Sequence, residues 1–521
     1  MVSTTPALDA VETAPRAKPH AATRRQIRGS SLLLVGRLLS MTLNFVSQVM
    51  IVRYLSKAEY GAFAYALSFV ALGETVVTFG LDRAITRFLP IFHEREEYEK
   101  LFGALVMVVG VILSLGMILI VLTFVLQGWI AVALISDRLA VTLLLILIGL
   151  SPVQALDGVL LSLFAIFANP RAIFFRKYVV APGLKIAVVL MLILGQSNVE
   201  FLAGGYLAAG ALGVAIYTAI LLRVLHRERL LARFDLRKLN LPVREVLAFT
   251  VPMLTTDLVY ILLHSMDAVL LGHFQGTSDV AAFRVVQPAA ELNKVVFSSF
   301  TLLFTPLAAR MFARSDGEGI NHLYWQTAVW ISVISFPILA VTFSLARPLT
   351  LMLYGSRYEQ SAIILALLSL GYYFHAALGF NGTTLMVYGK LRYIVSLNIG
   401  AAVANLLINL LLIPRYGALG AAIGTFGTLV VHNLLKQAGL RMGTGIHLFQ
   451  WQYLRVYAII ALAAVGLLLA QVALSLHPYA DFALAALVSA AVIGLNRRAL
   501  QIGQTFPELL RLPFAHRIFS E

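Results

Sequence analysis

The chain has 521 residues, 60% of them hydrophobic and 12% charged, with a mean hydropathy of +0.87; about a quarter of an ordinary soluble chain is charged. A soluble globular enzyme is thereby excluded. The 40 Lys and Arg against 25 Asp and Glu leave +15 and there is no Cys, so disulfide scaffolds, Cys-ligated metals and thiol catalysis are excluded, while a polyanionic partner has to be weighed.

In chain order, residues 1–28, rich in Ala, Thr and Pro, have little apolar periodicity and are expected to form a disordered cytoplasmic tail. Fourteen hydrophobic spans follow, at roughly 31–52, 59–81, 101–126, 139–164, 172–194, 201–222, 245–271, 280–305, 323–346, 360–386, 392–413, 418–437, 455–475 and 479–496. The first span follows Arg24, Arg25 and Arg28 as a signal peptide would, but it holds Arg37, Asn44 and Gln48 and no small-residue cleavage site. It reads as a retained helix. Pro152, Pro182, Pro252, Pro288 and Pro337 predict kinks within spans. With a cytoplasmic amino terminus, about 29 of the 40 basic residues fall in cytoplasmic segments or at the span ends beside them, against 6 in outer loops, as the positive-inside rule requires. The basic charge then lies against an anionic leaflet, and no nucleic-acid partner is expected.

The most basic segment, 223–244, interleaves Leu and Phe with Arg and Lys after the sixth span and reads as an amphipathic cytoplasmic linker. It separates an expected first lobe, 29–222, from a second, 245–440. A shift of 220 positions aligns Lys57–Phe63 with Thr277–Phe283, and a shift of 221 aligns Gly158 with Gly379 and Arg171 with Arg392. Six spans per copy is an even number, so the two lobes are expected to be parallel repeats related by an axis along the membrane normal. The last two spans, within 441–496, and a cytoplasmic tail, 497–521, lie outside the repeat. The expected fold class is an all-α polytopic membrane protein of about 14 helices, two six-helix lobes plus two carboxy-terminal helices.

Polar residues recur at helical spacing along four spans. Span one carries Arg37, Ser40, Asn44 and Ser47; span two carries Glu74, Thr75, Thr78, Asp82, Arg83 and Arg87. Span seven carries Asp257, Tyr260, His264 and Asp267, and span eight Arg284, Gln287, Glu291, Lys294 and Ser298. Facing lipid, Asp257, Asp267, Arg284, Glu291 and Lys294 together would cost on the order of 15 kcal/mol, comparable with the stability of a domain. Two arrangements avoid that cost: interhelical struts, such as Asp267 with Arg284 or Glu74 with Arg37, or a shared aqueous cavity, which the recurrence in both lobes favours. Arg37, Arg83 and Arg87 converge on the cytoplasmic mouth in this reading, where planar guanidinium forks suit phosphate oxygens; for Arg87, snorkelling to the interface is the alternative.

Asn398, Asn405 and Asn409 on span eleven suit helix–helix hydrogen bonding better than substrate contact, Lys436 reads as a positive-inside anchor, and His375 as a packed residue. No HExxH, Walker A or nucleophile-elbow motif is present and the outer loops are short. No catalytic residue, metal or cofactor is expected.

The stretch 36–90 resembles the opening of bacterial polysaccharide-biosynthesis flippases, the Wzx-like members of the multidrug/oligosaccharidyl-lipid/polysaccharide (MOP) exporter superfamily. The resemblance is carried by Tyr54, Leu55, Glu59, Tyr60, Gly61 and Phe63 entering span two, and by Phe79, Gly80, Leu81, Ala84, Arg87 and Phe88 leaving it. It implies a V-shaped pair of lobes, in the manner of the multidrug MATE transporters, flipping a polyprenyl-diphosphate-linked oligosaccharide from the inner to the outer leaflet of a bacterial inner membrane. The diphosphate would be held by Arg37, Arg83 and Arg87, with Lys185 and Lys294 following it across; Asn44 would face the glycan. Glu74, Asp257, His264, Asp267, Arg284 and Glu291 would serve coupling or gating. Membrane lipids, and a polysaccharide polymerase or export machinery, are the further partners implied. The alternatives are a lipid II flippase, a cation-coupled multidrug antiporter of the same superfamily, and a membrane polymerase or ligase.

Overall fold

The computed structural model describes residues 19–133, 135, 137–167, 174–227, 229–474 and 477–500, without the side chains of 19–34, 133, 165, 167, 236, 252–258, 260, 262–264, 302 and 303. The expected tails fall largely outside these residues, as do the side chains of Asp257 and His264. Every regular element among the described residues is helical. Eleven helical stretches are long and apolar enough to cross a membrane, or twelve when the pair Thr277–Thr301 and Phe304–Ala313, bent by 43°, is taken as one span. The chain is an all-α, multi-pass membrane protein.

The difference from fourteen predicted spans has local causes. Predicted spans eleven and twelve are the two arms of the helical stretch Leu391–Thr444, which turns at Gly417, whose φ of 55° and ψ of −135° lie outside helical space. The two arms fold back on each other: the Tyr393 hydroxyl donates to the Leu435 carbonyl at 2.8 Å, His432 Nε2 lies 3.0 Å from Asn398 Oδ1, and Asn405 Nδ2 donates to Thr428 Oγ1 at 3.3 Å. Asparagines here do glue helices, as their spacing suggested. Predicted span seven is divided at Ser265 into Val243–His264 and Met266–Gln275. Predicted span eight is divided into Thr277–Arg284, Gln287–Glu291, a 3-10 turn Leu292–Lys294, and Val295–Ala313. Pro288, in the first turn of Gln287–Glu291, has no N–H to continue the ladder.

Local chemistry sets the ends of the second helix, Lys57–Thr78. Ser56 and Glu59 form a reciprocal capping box, the Ser56 amide donating to the Glu59 carboxylate at 2.8 Å and the Glu59 amide to Ser56 Oγ at 3.2 Å. At the other end Phe79 and Gly80 both adopt left-handed backbone, φ 49° and 68°. That stops the helix and starts Leu81–Glu94, which buries Leu81, Ile85, Leu89 and Phe92 on one face.

Three apolar cores organise the molecule. One is built mainly from the first half of the chain, with Val246 and Phe249 from beyond the basic segment joining it, and includes Ile85, Ile112, Phe164 and Tyr217; another belongs to the second half and the last two spans, with Trp325, Phe336, Phe380 and Ile460. The third is shared, joining Val52, Phe63 and Leu144 of the first half to Ala268, Phe283, Tyr358 and Leu368 of the second. The halves are thus fused at one end. Backbones touch there: a Cβ on Gly61 would lie 2.0 Å from the Thr277 carbonyl oxygen, and one on Gly272 would lie 2.3 Å from the Tyr65 ring. Gly61 and Thr277 belong to the two motifs aligned by the shift of 220, so segments similar in sequence also pack on each other.

Replacing Gly61 by Leu should therefore lower stability by about 1–3 kcal/mol, because backbone rather than a movable side chain occupies the space. Gly110→Ala, where a Cβ meets nothing within 4 Å, should be neutral to slightly stabilising. Thermal unfolding of the purified proteins in detergent checks both.

Candidate functional site

A cavity of about 690 Å³ lies against the shared core, which contributes Ile51, Tyr60 and Phe63 to its lining. The first half contributes Asn44, Ser47, Gln48, Ser68, Glu74, Thr75, Lys185 and Tyr206; the second half contributes Ser265, Arg284, Gln287 and Glu291. Proline and polar interruptions in predicted span eight set the second wall. The predicted stripe there is a hydrogen-bonded chain with one link per helical turn. Arg284 Nη2 donates to Ser68 Oγ at 3.0 Å and Nη1 to Gln287 Oε1 at 2.8 Å; Gln287 Nε2 reaches Glu291 Oε1 at 3.4 Å, and Lys294 Nζ lies 3.2 Å from Glu291 Oε1. Lys294 also sits over the Tyr372 ring at 4.3 Å. The first wall is held across the seam by Gln48, whose amide donates to the Tyr60 hydroxyl and to the Val285 carbonyl, each at 3.2 Å.

Of the residues singled out from sequence, Asn44, Glu74, Lys185, Arg284 and Glu291 line this one cavity, and Lys294 adjoins it through Glu291. Asn44 is exposed, its amide donating back to the Ser40 carbonyl at 2.6 Å. Lys185 points toward the Tyr206 ring, 5.8 Å from its centre. Arg37, Arg83 and Arg87 are not among the cavity-lining residues. Arg87 stacks on Phe249 at 4.6 Å and on Phe88 at 5.6 Å, while Arg37 is exposed and Arg83 half-buried. Asp267 is buried against the second-half hairpin, accepting from Asn409 Nδ2 at 2.5 Å and Thr425 Oγ1 at 2.9 Å. Those bonds satisfy its oxygens inside one half.

Tyr60 and Tyr206 on the cavity wall were missed from sequence. Tyr60 stands in the capping-box motif, which was read for its turn rather than for the face its ring presents. An ion pair also emerged outside the stripes: Arg176 Nη2 contacts Asp157 Oδ1 and the Asp157 carbonyl, both at 2.7 Å, beneath the Tyr217 ring at 4.4 Å. The cavity walls carry Lys185 and Arg284 against Glu74 and Glu291, so they are polar and charged without being cationic overall. A neutral-to-anionic amphiphile with many hydroxyls can be solvated there and gripped at either cation.

The fused end is latched by a reciprocal pair. Arg53 donates to the Leu353 carbonyl at 2.9 Å and to that of Met352; Arg357 donates to the Arg53 carbonyl at 3.1 Å and to that of Val52. Each guanidinium thereby caps the last carbonyls of a helix from the other half, where the helix dipole is negative.

Comparison with known proteins fits this geometry. The model of the polysaccharide biosynthesis protein family matches residues 27–312. The succinoglycan biosynthesis transport protein ExoT of Rhizobium meliloti is 26% identical over 340 residues, 63% of this chain and 62% of that relative. Among solved structures, lipid II flippase MurJ in an inward closed conformation superposes with a TM-score of 0.70 at 14% identity, covering 90% of this chain and 99% of that one. An inward-facing multidrug resistance MATE family transporter of the MOP superfamily superposes at 0.64 with 15% identity, covering 79% and 98%. The chain belongs to the polysaccharide biosynthesis protein family, and its fold is the one seen in the solved MurJ and MATE-family structures.

Proposed function

We propose that the protein flips a polyprenyl-diphosphate-linked saccharide across a bacterial inner membrane by alternating access, its two halves acting as parallel repeats of a fourteen-span fold. The observation that carries this reading is one chamber, closed by the shared core, into which Asn44, Lys185, Arg284 and Glu291 of both halves face. Within that class, lipid II is the substrate the structural likeness favours, since MurJ superposes over 90% of the chain. The repeat unit of an exported polysaccharide, which the family match and the ExoT likeness support, is the second reading. In either case Lys185 and Arg284 grip the diphosphate inside the chamber, Arg37, Arg83 and Arg87 attract it at the mouth, and Asn44 faces the sugars. Lys294 accompanies the phosphates, while Glu74, Asp257, His264, Asp267 and Glu291 supply gating or coupling. The termini and the basic 223–244 segment lie on the cytoplasmic side, which places the latched end outward. A multidrug antiporter, the third reading, is favoured by the MATE likeness.

Expression in a strain depleted of its lipid II flippase separates the readings. Restored growth supports lipid II; accumulation of a polysaccharide repeat unit on gene deletion, without rescue, supports the second; resistance to cationic dyes with neither supports the third. If the diphosphate assignment holds, Lys185→Ala with Arg284→Ala lowers translocation at least about tenfold at unchanged protein abundance, the loss expected from two charge-assisted contacts; unchanged translocation contradicts it.

Releasing the latch tests alternating access separately. Arg53→Ala with Arg357→Ala removes hydrogen bonds worth roughly 1.5–3 kcal/mol each for charged donors. A distance measured by spin labels across the latched end should then broaden toward a separated population, whereas an unmoved distribution argues that the latch holds nothing.

A further inference from the structure

Outside the central chamber, a second cleft of about 630 Å³ is lined by Arg347, Gln471, His477, Tyr479 and Asp481 together with Leu351, Met352 and Val472. Its depth follows from the chain alone. Arg347 lies in the first turn of the helix Ala346–Tyr354 that follows the span ending at Ser344, Gln471 and Val472 lie in the last turn of the span Trp451–Leu474, and Asp481 lies in the first turn of Pro478–Leu495. Three span ends meet there, so the cleft stands at headgroup depth whichever way the protein is oriented. Tyr479, 77% exposed and stacked on His477 at 5.2 Å, is an aromatic of the kind that settles at that boundary.

Asp481 is the anomaly. It is 3% exposed, yet its Oδ1 is buried with no hydrogen-bond partner, a costly arrangement unless a donor arrives from elsewhere. Gln471 and His477 border the same space, and the cation there, Arg347, spends Nε and Nη2 on Glu359 Oε1 at 2.7 and 2.6 Å, which leaves further N–H groups of a 63% exposed guanidinium. A carboxylate lacking a donor, a cation with donors to spare and an apolar wall of Leu351, Met352 and Val472 are the complement of one kind of molecule: a zwitterion with a protonated amine, a phosphate and a hydrocarbon tail.

We propose that this cleft is a binding site for a phospholipid with a primary-amine headgroup, its ammonium donating to Asp481, its phosphate meeting Arg347 and its acyl chain lying along Leu351, Met352 and Val472. The site is independent of the central chamber and of the substrate carried there. A quaternary ammonium has no N–H to offer Asp481, so the headgroup distinction follows from hydrogen bonding rather than charge.

Native mass spectrometry of the intact wild-type protein tests this with phosphatidylethanolamine, its mono- and dimethyl derivatives and phosphatidylcholine of the same acyl chains. Retention should fall along the series, to at least about fivefold weaker for phosphatidylcholine, a typical loss for a charge-assisted bond. Asp481→Asn should flatten the series, and Arg347→Gln should weaken all members alike. Water-soluble O-phosphoethanolamine should not compete, because it has no chain for the apolar wall. Equal retention of all four lipids by the wild type, or an undiminished preference in Asp481→Asn, overturns the proposal. The wild-type series decides the matter even if a variant fails to fold.

Discussion

A charged side chain within hydrocarbon has to find water or a partner, and this constraint shapes the molecule more than any single contact. Arg284, Glu291 and Lys294 lie within a segment that spans the membrane, and each is satisfied by a neighbour one turn away along the wall of an open chamber. Asp267, deprived of the chamber, takes hydrogen bonds from Asn409 and Thr425 inside a single half. The chamber and the intra-half network are two answers to one desolvation problem.

Where the halves join, the same chain uses the opposite chemistry. Gly61 and Gly272 let backbone and rings meet without side chains between them, and the shared core is made of residues such as Val52, Phe63, Ala268 and Phe283. Around that dry seam, arginines 53 and 357 cap helix ends across the junction. An apolar contact held by a few directional bonds can part without leaving charges stranded, which is the property a junction between alternating states needs.

Much of this was legible in the sequence because helical periodicity records which face a residue occupies. The order Arg284, Gln287, Glu291, Lys294 read as a stripe and is a stripe. Periodicity along one span does not report rotation relative to other spans, and there the reading was weakest. Arg37, Arg83 and Arg87 read as residues of the mouth, but their spacing does not reveal that Arg87 stacks on Phe249, a ring supplied from the far side of the basic linker. Span counting has a related limit: hydropathy separates 392–413 from 418–437, where Gly417 does turn the chain back, but it does not show the break at Ser265 that divides span seven. Tyr60 and Tyr206 escaped notice because an aromatic on a membrane helix is by default lipid-facing or core, and only the neighbouring half makes it a cavity wall.

The central claim is that Asn44 and Gln287 share one wet chamber, and the absence of native Cys makes it directly measurable. Single-cysteine proteins carrying Asn44→Cys, Gln287→Cys or the lipid-facing control Leu462→Cys, 73% exposed in the middle of its span, are exposed in membranes to a charged, impermeant maleimide from each side in turn. The account predicts rapid labelling of positions 44 and 287 from one and the same side, with position 462 inert. Labelling of 44 and 287 as slow as that of 462 would contradict it.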